Sequence, residues 1–141
     1  MDGVDHINVY SKGQTVLGRR LSNFACAPFE LDSKRFASVE AWWYWRQLPR
    51  DDPGLRALYG WQAKSFGGSM IHNCRKPDPT PDELIRVYRA KLDAHPALLA
   101  EVKASTLPFD YYYVYNGVRR DTPHRWTGQL WNRVRDELKA A

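Results

Sequence analysis

The run from Phe36 to Leu48, Phe-Ala-Ser-Val-Glu-Ala-Trp-Trp-Tyr-Trp-Arg-Gln-Leu, is the strongest constraint on what this chain can fold into. Four of its thirteen residues are Trp or Tyr, and Glu40 is its only acid. Ser38 can cap a helix that begins at Val39, and Pro49, which lacks an N–H, stops it. Glu40 then lies in the first turn, where the unpaired amide groups of the helix favour a negative charge. At a spacing of three or four residues it shares a face with Trp43 and Tyr44, while Trp42 and Trp45 turn elsewhere. Two readings follow. Glu40 is an ordinary surface acid at a helix start, or it is a half-buried carboxylate tuned by bulky aromatics.

Composition narrows the classes. The 141 residues make one domain, 1–141, long enough to bury a substantial core. Aromatics reach 13%, with six Trp and eight Tyr, a surplus that serves a core and also suits stacking on a planar ligand. The formal net charge of +5 favours a phosphate-bearing partner. Cys26 and Cys74 match no metal or redox spacing and read as reduced thiols, which points to an intracellular, cytoplasmic protein. The acidic start offers no signal peptide, and no apolar run approaches membrane length. His6, His72, His95 and His124 form no metal-binding pair, so no metal and no cofactor are expected.

Taken in order, His6 to Tyr10 reads as a short strand and Ser11 to Gly18 as a polar loop. Arg19 and Arg20, beside Ser22 and Asn23, offer donors that hold phosphate and ribose oxygens, or else form a solvated basic loop. Phe29 to Leu31 reads as a second strand, and Asp32 to Lys34 as a tight turn into the aromatic helix. Leu55 to Met70 is weakly helical, with Gly67 and Gly68 interrupting it. Lys64 in its middle is a phosphate contact or a snorkelling surface lysine. Thr80-Pro81-Asp82-Glu83 opens the clearest helix, with N-cap, first-turn proline and capping-box glutamate, and Leu84, Ile85, Tyr88 and Leu92 form its buried stripe. A further helix starts at Pro96, with Leu98, Leu99 and Val102 turned inward. Phe109 to Tyr115 reads as one strand with Asp110 at its beginning, and Asn116 to Thr122 as a basic loop. The last helix repeats apolar residues at Trp126, Leu130, Val134 and Leu138. The fold class is α+β: a helix-rich domain with a small sheet from the N-terminal strands and the 109–115 segment.

The order of these pieces resembles a family. Ile-Asn-Val-Tyr-Ser, then Leu-Ser-Asn-Phe, Pro-Phe-Glu-Leu-Asp and Phe-Ala-Ser-Val-Glu-Ala-Trp-Trp is similar to the opening of the NADAR (YbiA-like) proteins. The likeness continues through Ala63-Lys64, the stretch from Tyr88 to Leu98, and the closing Val134 to Leu138. It implies a YbiA-like fold and hydrolysis of the N-glycosidic bond between a ribose carbon and a base-like nitrogen. The substrates it implies are ADP-ribosylated guanine or a phosphorylated riboflavin-pathway intermediate, free or on nucleic acid. By the resemblance Glu40 matches the catalytic helix glutamate and Asp110 a second acid, while Ser22, Asn23, Phe24 and Lys64 match pocket positions. The roles that follow put Glu40 as principal acid or base and Asp110 as its partner. Trp43 or a tyrosine stacks the base, and Arg19, Arg20 and Lys64 bind phosphates.

The chain also departs from that pattern. Ala41 stands where a histidine follows the glutamate, and Tyr44 to Gln47 replace a Gln-x-Gln-Lys. Pro79-Thr80-Pro81 replaces a tryptophan before the capped helix, Tyr113-Val114 replaces Trp-Gly, and His124 to Gly128 replace Asn-Arg-x-Gly. These departures motivate an alternative, a module that binds ADP-ribose or a nucleotide without cleaving it. A plain nucleic-acid binder is a third reading, weakened by basic residues scattered along the chain rather than gathered on one helix.

Overall fold

A computed structural model describes residues 1–74 and 76–141. In chain order the elements are β1 (Ile7–Asn8), α1 (Val16–Leu21), β2 (Phe29–Leu31), β3 (Lys34–Phe36), α2 (Val39–Trp45), α3 (Pro53–Arg56), α4 (Gly60–Met70), α5 (Pro81–Ala94), α6 (Pro96–Ala104), β4 (Phe109–Asp110), β5 (Tyr113–Tyr115), β6 (Val118–Arg120) and α7 (Arg125–Ala140). Helices dominate and short two-stranded sheets supply the β part, so the chain is α+β. It forms two compact units: Asn23–Ala94, and the flanking segments Met1–Ser22 with His95–Ala141.

In the Asn23–Ala94 unit, Asp32 and Ser33 take φ of 51° and 65° and close a two-residue hairpin between β2 and β3. The sequence gives the turn but not the strand after it. The pairing sets Phe29 opposite Phe36, and the buried rings stack 5.5 Å apart. Ser38 caps α2 as its position demands: its Oγ accepts the Ala41 N–H at 3.1 Å and donates to the Leu58 carbonyl at 2.9 Å. Gly67 and Gly68 do not interrupt α4, which runs through both of them. A Cβ on Gly67 would stand 2.5 Å from Cβ of Tyr44, so the glycine lets α4 lie directly on α2. The α5 capping box closes reciprocally, with Glu83 N–H to Thr80 Oγ1 and Thr80 N–H to Glu83 Oε1, each at 3.2 Å. Arg46, just past α2, grips the same Glu83 with two bonds of 2.6 and 3.0 Å. The predicted stripe Leu84, Ile85, Tyr88 and Leu92 is buried, and Val87 and Lys91 join it.

In the flanking unit β1 runs parallel to β4, with Ile7 opposite Phe109 and Asn8 opposite Asp110. Two side-chain amides clamp β4 and the segment after it. Asn8 exchanges bonds of 3.0 and 3.1 Å with the Tyr112 carbonyl and N–H, and Asn132 does the same to Phe109 at 3.0 and 2.7 Å. The Asn8 amide takes the place of a strand partner at Tyr112, so the predicted single strand 109–115 divides into β4 and β5. The 116–122 stretch is not a loop throughout. Asn116 and Gly117, at φ of 48° and 75°, turn the chain into the β5–β6 hairpin. Thr15 Oγ1 accepts the Gly18 N–H at 2.9 Å, which starts α1 inside the predicted loop. The buried face of α7 is Thr127, Trp131, Val134, Arg135 and Leu138, so Trp126 and Leu130 sit at its margins instead of its centre. Leu98 and Val102 of α6 are buried, whereas Leu99 is only partly so.

Candidate active site around Glu40

Glu40 is placed by backbone bonds from its own helix start. Its N–H donates to the Asn23 carbonyl at 2.9 Å, and the Gly60 N–H donates to the next carbonyl, that of Phe24, at 3.0 Å. Two consecutive peptide groups therefore fasten the first turns of α2 and α4. Gly60 takes a φ of 60°, a conformation that side-chain-bearing residues rarely adopt, and this lets α4 begin at the strap. One turn into α4, the Lys64 ammonium stands 6.0 Å from the Phe24 ring centroid and 5.6 Å from that of Trp61, within cation–π range of both.

The Glu40 side chain is half-buried with its carboxyl crowded by protein, and no hydrogen bond or ion pair among the described residues engages that carboxyl. Burial pushes its pKa from 4.5 up to about 7, and the attraction of the Lys64 charge offsets only part of that rise. A carboxyl in this condition exchanges a proton near neutral pH. Trp43 shares its helix face by spacing and is half-buried.

Asn23, Phe24, Glu40, Trp43 and Lys64 all belong to the Asn23–Ala94 unit, and the structure links Asn23, Phe24, Glu40 and Lys64 through the contacts just described. The remaining sequence-predicted residues lie in the flanking unit. Arg19 donates to the Gly13 carbonyl at 2.7 Å, Arg20 pairs with Glu101 at 2.9 Å, and Ser22 is buried where α1 ends. Asp110 receives two bonds from Arg125 at 2.8 and 2.9 Å and one from the Tyr111 N–H at 2.8 Å, with Arg119 at 3.5 Å. Burial alone would raise the Asp110 carboxyl. The Arg125 and Tyr111 bonds, with the charges of Arg125 and Arg119, outweigh it and hold the group below the usual carboxylate range. Asp110 is thus a fixed anion. Its main partner, Arg125, belongs to the His124–Gly128 stretch in which the sequence departs from the NADAR pattern.

No family model, no curated protein and no solved structure matches this chain.

Trp61 is the residue that sequence reasoning passed over. Its signal is its place three residues before Lys64, on the same helical face. No group of three or more His, Cys, Asp or Glu among the described residues could hold a metal ion, and Cys26 and Cys74 are both free. No helix among them is long and apolar enough to cross a membrane.

Proposed function

We propose that this protein hydrolyses the N-glycosidic bond between ribose and a base in a phosphorylated ribosyl or ADP-ribosyl substrate, with Glu40 as general base. The observation that carries the reading is the crowded Glu40 carboxyl, without a hydrogen bond among the described residues and balanced near pH 7 beside the Lys64 ammonium. The resemblance of the stretches 7–11, 21–24, 28–32 and 36–43 to the NADAR opening supports it as well.

Breaking a ribosyl C–N bond leaves positive charge on the sugar and requires water to attack the anomeric carbon. In the proposed step Glu40 takes a proton from that water as the oxygen bonds to the carbon. The C–N electron pair leaves with the base, which takes up the proton that Glu40 received, directly or through solvent, and Glu40 is restored. A base whose pKa lies near the working pH is half ionised and still basic enough to act, and such a group contributes roughly 10²–10⁴-fold in rate. Lys64 supplies a cation for a substrate phosphate and keeps the Glu40 value from rising further. Negative charge on Glu40 also favours the cationic sugar, so one residue serves both needs.

A second reading, binding without cleavage, is favoured by Asp110, whose ion pairs with Arg125 and Arg119 engage the second carboxylate. Incubation with ADP-ribosylated guanine, NAD, ADP-ribose and ribosylated pyrimidine phosphates, scored for released base, separates the two. The hydrolase reading expects release from one of the glycosides, lost in Glu40→Gln. Binding across the panel with no release from any member supports the module.

A further inference from the structure

Of the six tryptophans Trp61 alone is exposed, at 68% of its surface. An indole left in water on the first turn of a helix contributes little to a core, and here its surroundings are specific. It follows Gly60, whose N–H is bound to the Phe24 carbonyl, and the neighbouring Asn23 carbonyl holds the Glu40 N–H. The ammonium of Lys64, three residues on, stands 5.6 Å from the Trp61 ring centroid and 6.0 Å from that of Phe24. An aromatic face, a cation about one helical turn (~5 Å) along the axis and the strap that fixes Glu40 are thus built into one short stretch of the fold.

We infer that Trp61 is the stacking platform for the planar heteroaromatic base of a ribonucleotide whose phosphate is held by Lys64. This deepens the hydrolase reading and rests on it for the identity of the leaving group. The flat face of the indole accepts any nucleobase, while the ammonium favours an anion and repels a second cation. A ribonucleotide carries both features on either side of its sugar. The sugar then lies alongside the Trp61–Lys64 pair, on the stretch that is tied to Glu40. Trp43, half-buried on α2, is left as a wall and not the stacking surface.

The test is titration calorimetry of the full chain with two probes, guanosine monophosphate and ribose phosphate, which differ by the base. Wild type is expected to bind the nucleotide more tightly than the sugar phosphate. Trp61→Ala is expected to weaken nucleotide binding by roughly ten- to a hundredfold while leaving ribose phosphate unchanged, the size of one lost base–aromatic stack. Trp61→Phe, which keeps a ring, should retain most of the difference. The exposed position makes either variant safe for folding. Trp61→Ala with an undiminished preference for the nucleotide overturns the inference, as does a wild type that binds the two probes equally or neither. The underlying reading fails separately: no base released from any member of the substrate panel removes the hydrolase assignment while the Trp61 titrations stand.

Discussion

Glu40 titrates near 7 in the folded chain against 4.5 ordinarily, because burial disfavours its charged form more than Lys64 favours it. The sign of the consequence is fixed. Between those values the unfolded chain loses this proton and the folded chain keeps it, so stability present below pH 4.5 is lost as pH rises through 7. At about 1.4 kcal/mol per unit, the loss approaches ~3 kcal/mol across the window. Glutamine is neutral throughout. Relative to wild type, Glu40→Gln should gain about 2–3 kcal/mol of unfolding free energy on going from pH 4 to pH 8. Urea titrations at the two pH values check this, and a difference that does not move with pH contradicts it. The sequence shows Glu40 in a first turn among aromatics, because capping and spacing are local. It does not show the crowding, since the Asn23 carbonyl and Lys64 reach the site from other elements. Asp110 is conspicuous in its aromatic run for the same local reason, yet its partners Arg119 and Arg125 are visible only once the chain has folded back.

Helices whose signals are local were legible: the Ser38 cap, the reciprocal Thr80–Glu83 box and the α5 stripe appear where the sequence puts them. The strands were less so, since a two- or three-residue strand has too few positions to show a period. The break between β4 and β5 depends on the amide of Asn8, a residue remote in sequence. The paired glycines of α4 continue the helix against the sequence expectation, because glycine reads as a breaker unless a close neighbour is known. At Gly67 the neighbour is Tyr44; at Gly68 nothing among the described residues lies within 4 Å. Gly67→Ala should therefore cost about 1–3 kcal/mol by pushing α4 off α2, and should shift Lys64 relative to Glu40. Gly68→Ala should instead stabilise by about 0.5–1 kcal/mol, as alanine does in an open helical position. Thermal unfolding of the two variants decides, and equal effects of one sign would contradict the packing described.

At the scale of the whole molecule, the chain leaves one compact unit after Ser22 and returns to it at His95. Nothing in composition announces this, because neither crossing is marked by a run of linker residues. The Asn23–Ala94 unit holds Glu40, Lys64, Phe24 and Trp61 together, so the chemistry proposed here draws on one unit's own contacts. It also needs no metal, and exhaustive chelation should leave base release unchanged; loss of activity restored by zinc or magnesium would contradict that. The central claim is that Glu40 performs chemistry on a ligand held by other residues, so catalysis and binding should separate on one substitution. The direct measurement is turnover and calorimetric affinity of Glu40→Gln beside wild type, on whichever glycoside the substrate panel identifies. The account predicts turnover lower by at least about a hundredfold with affinity within a few-fold of wild type. Near-normal turnover in a folded Glu40→Gln protein would contradict it.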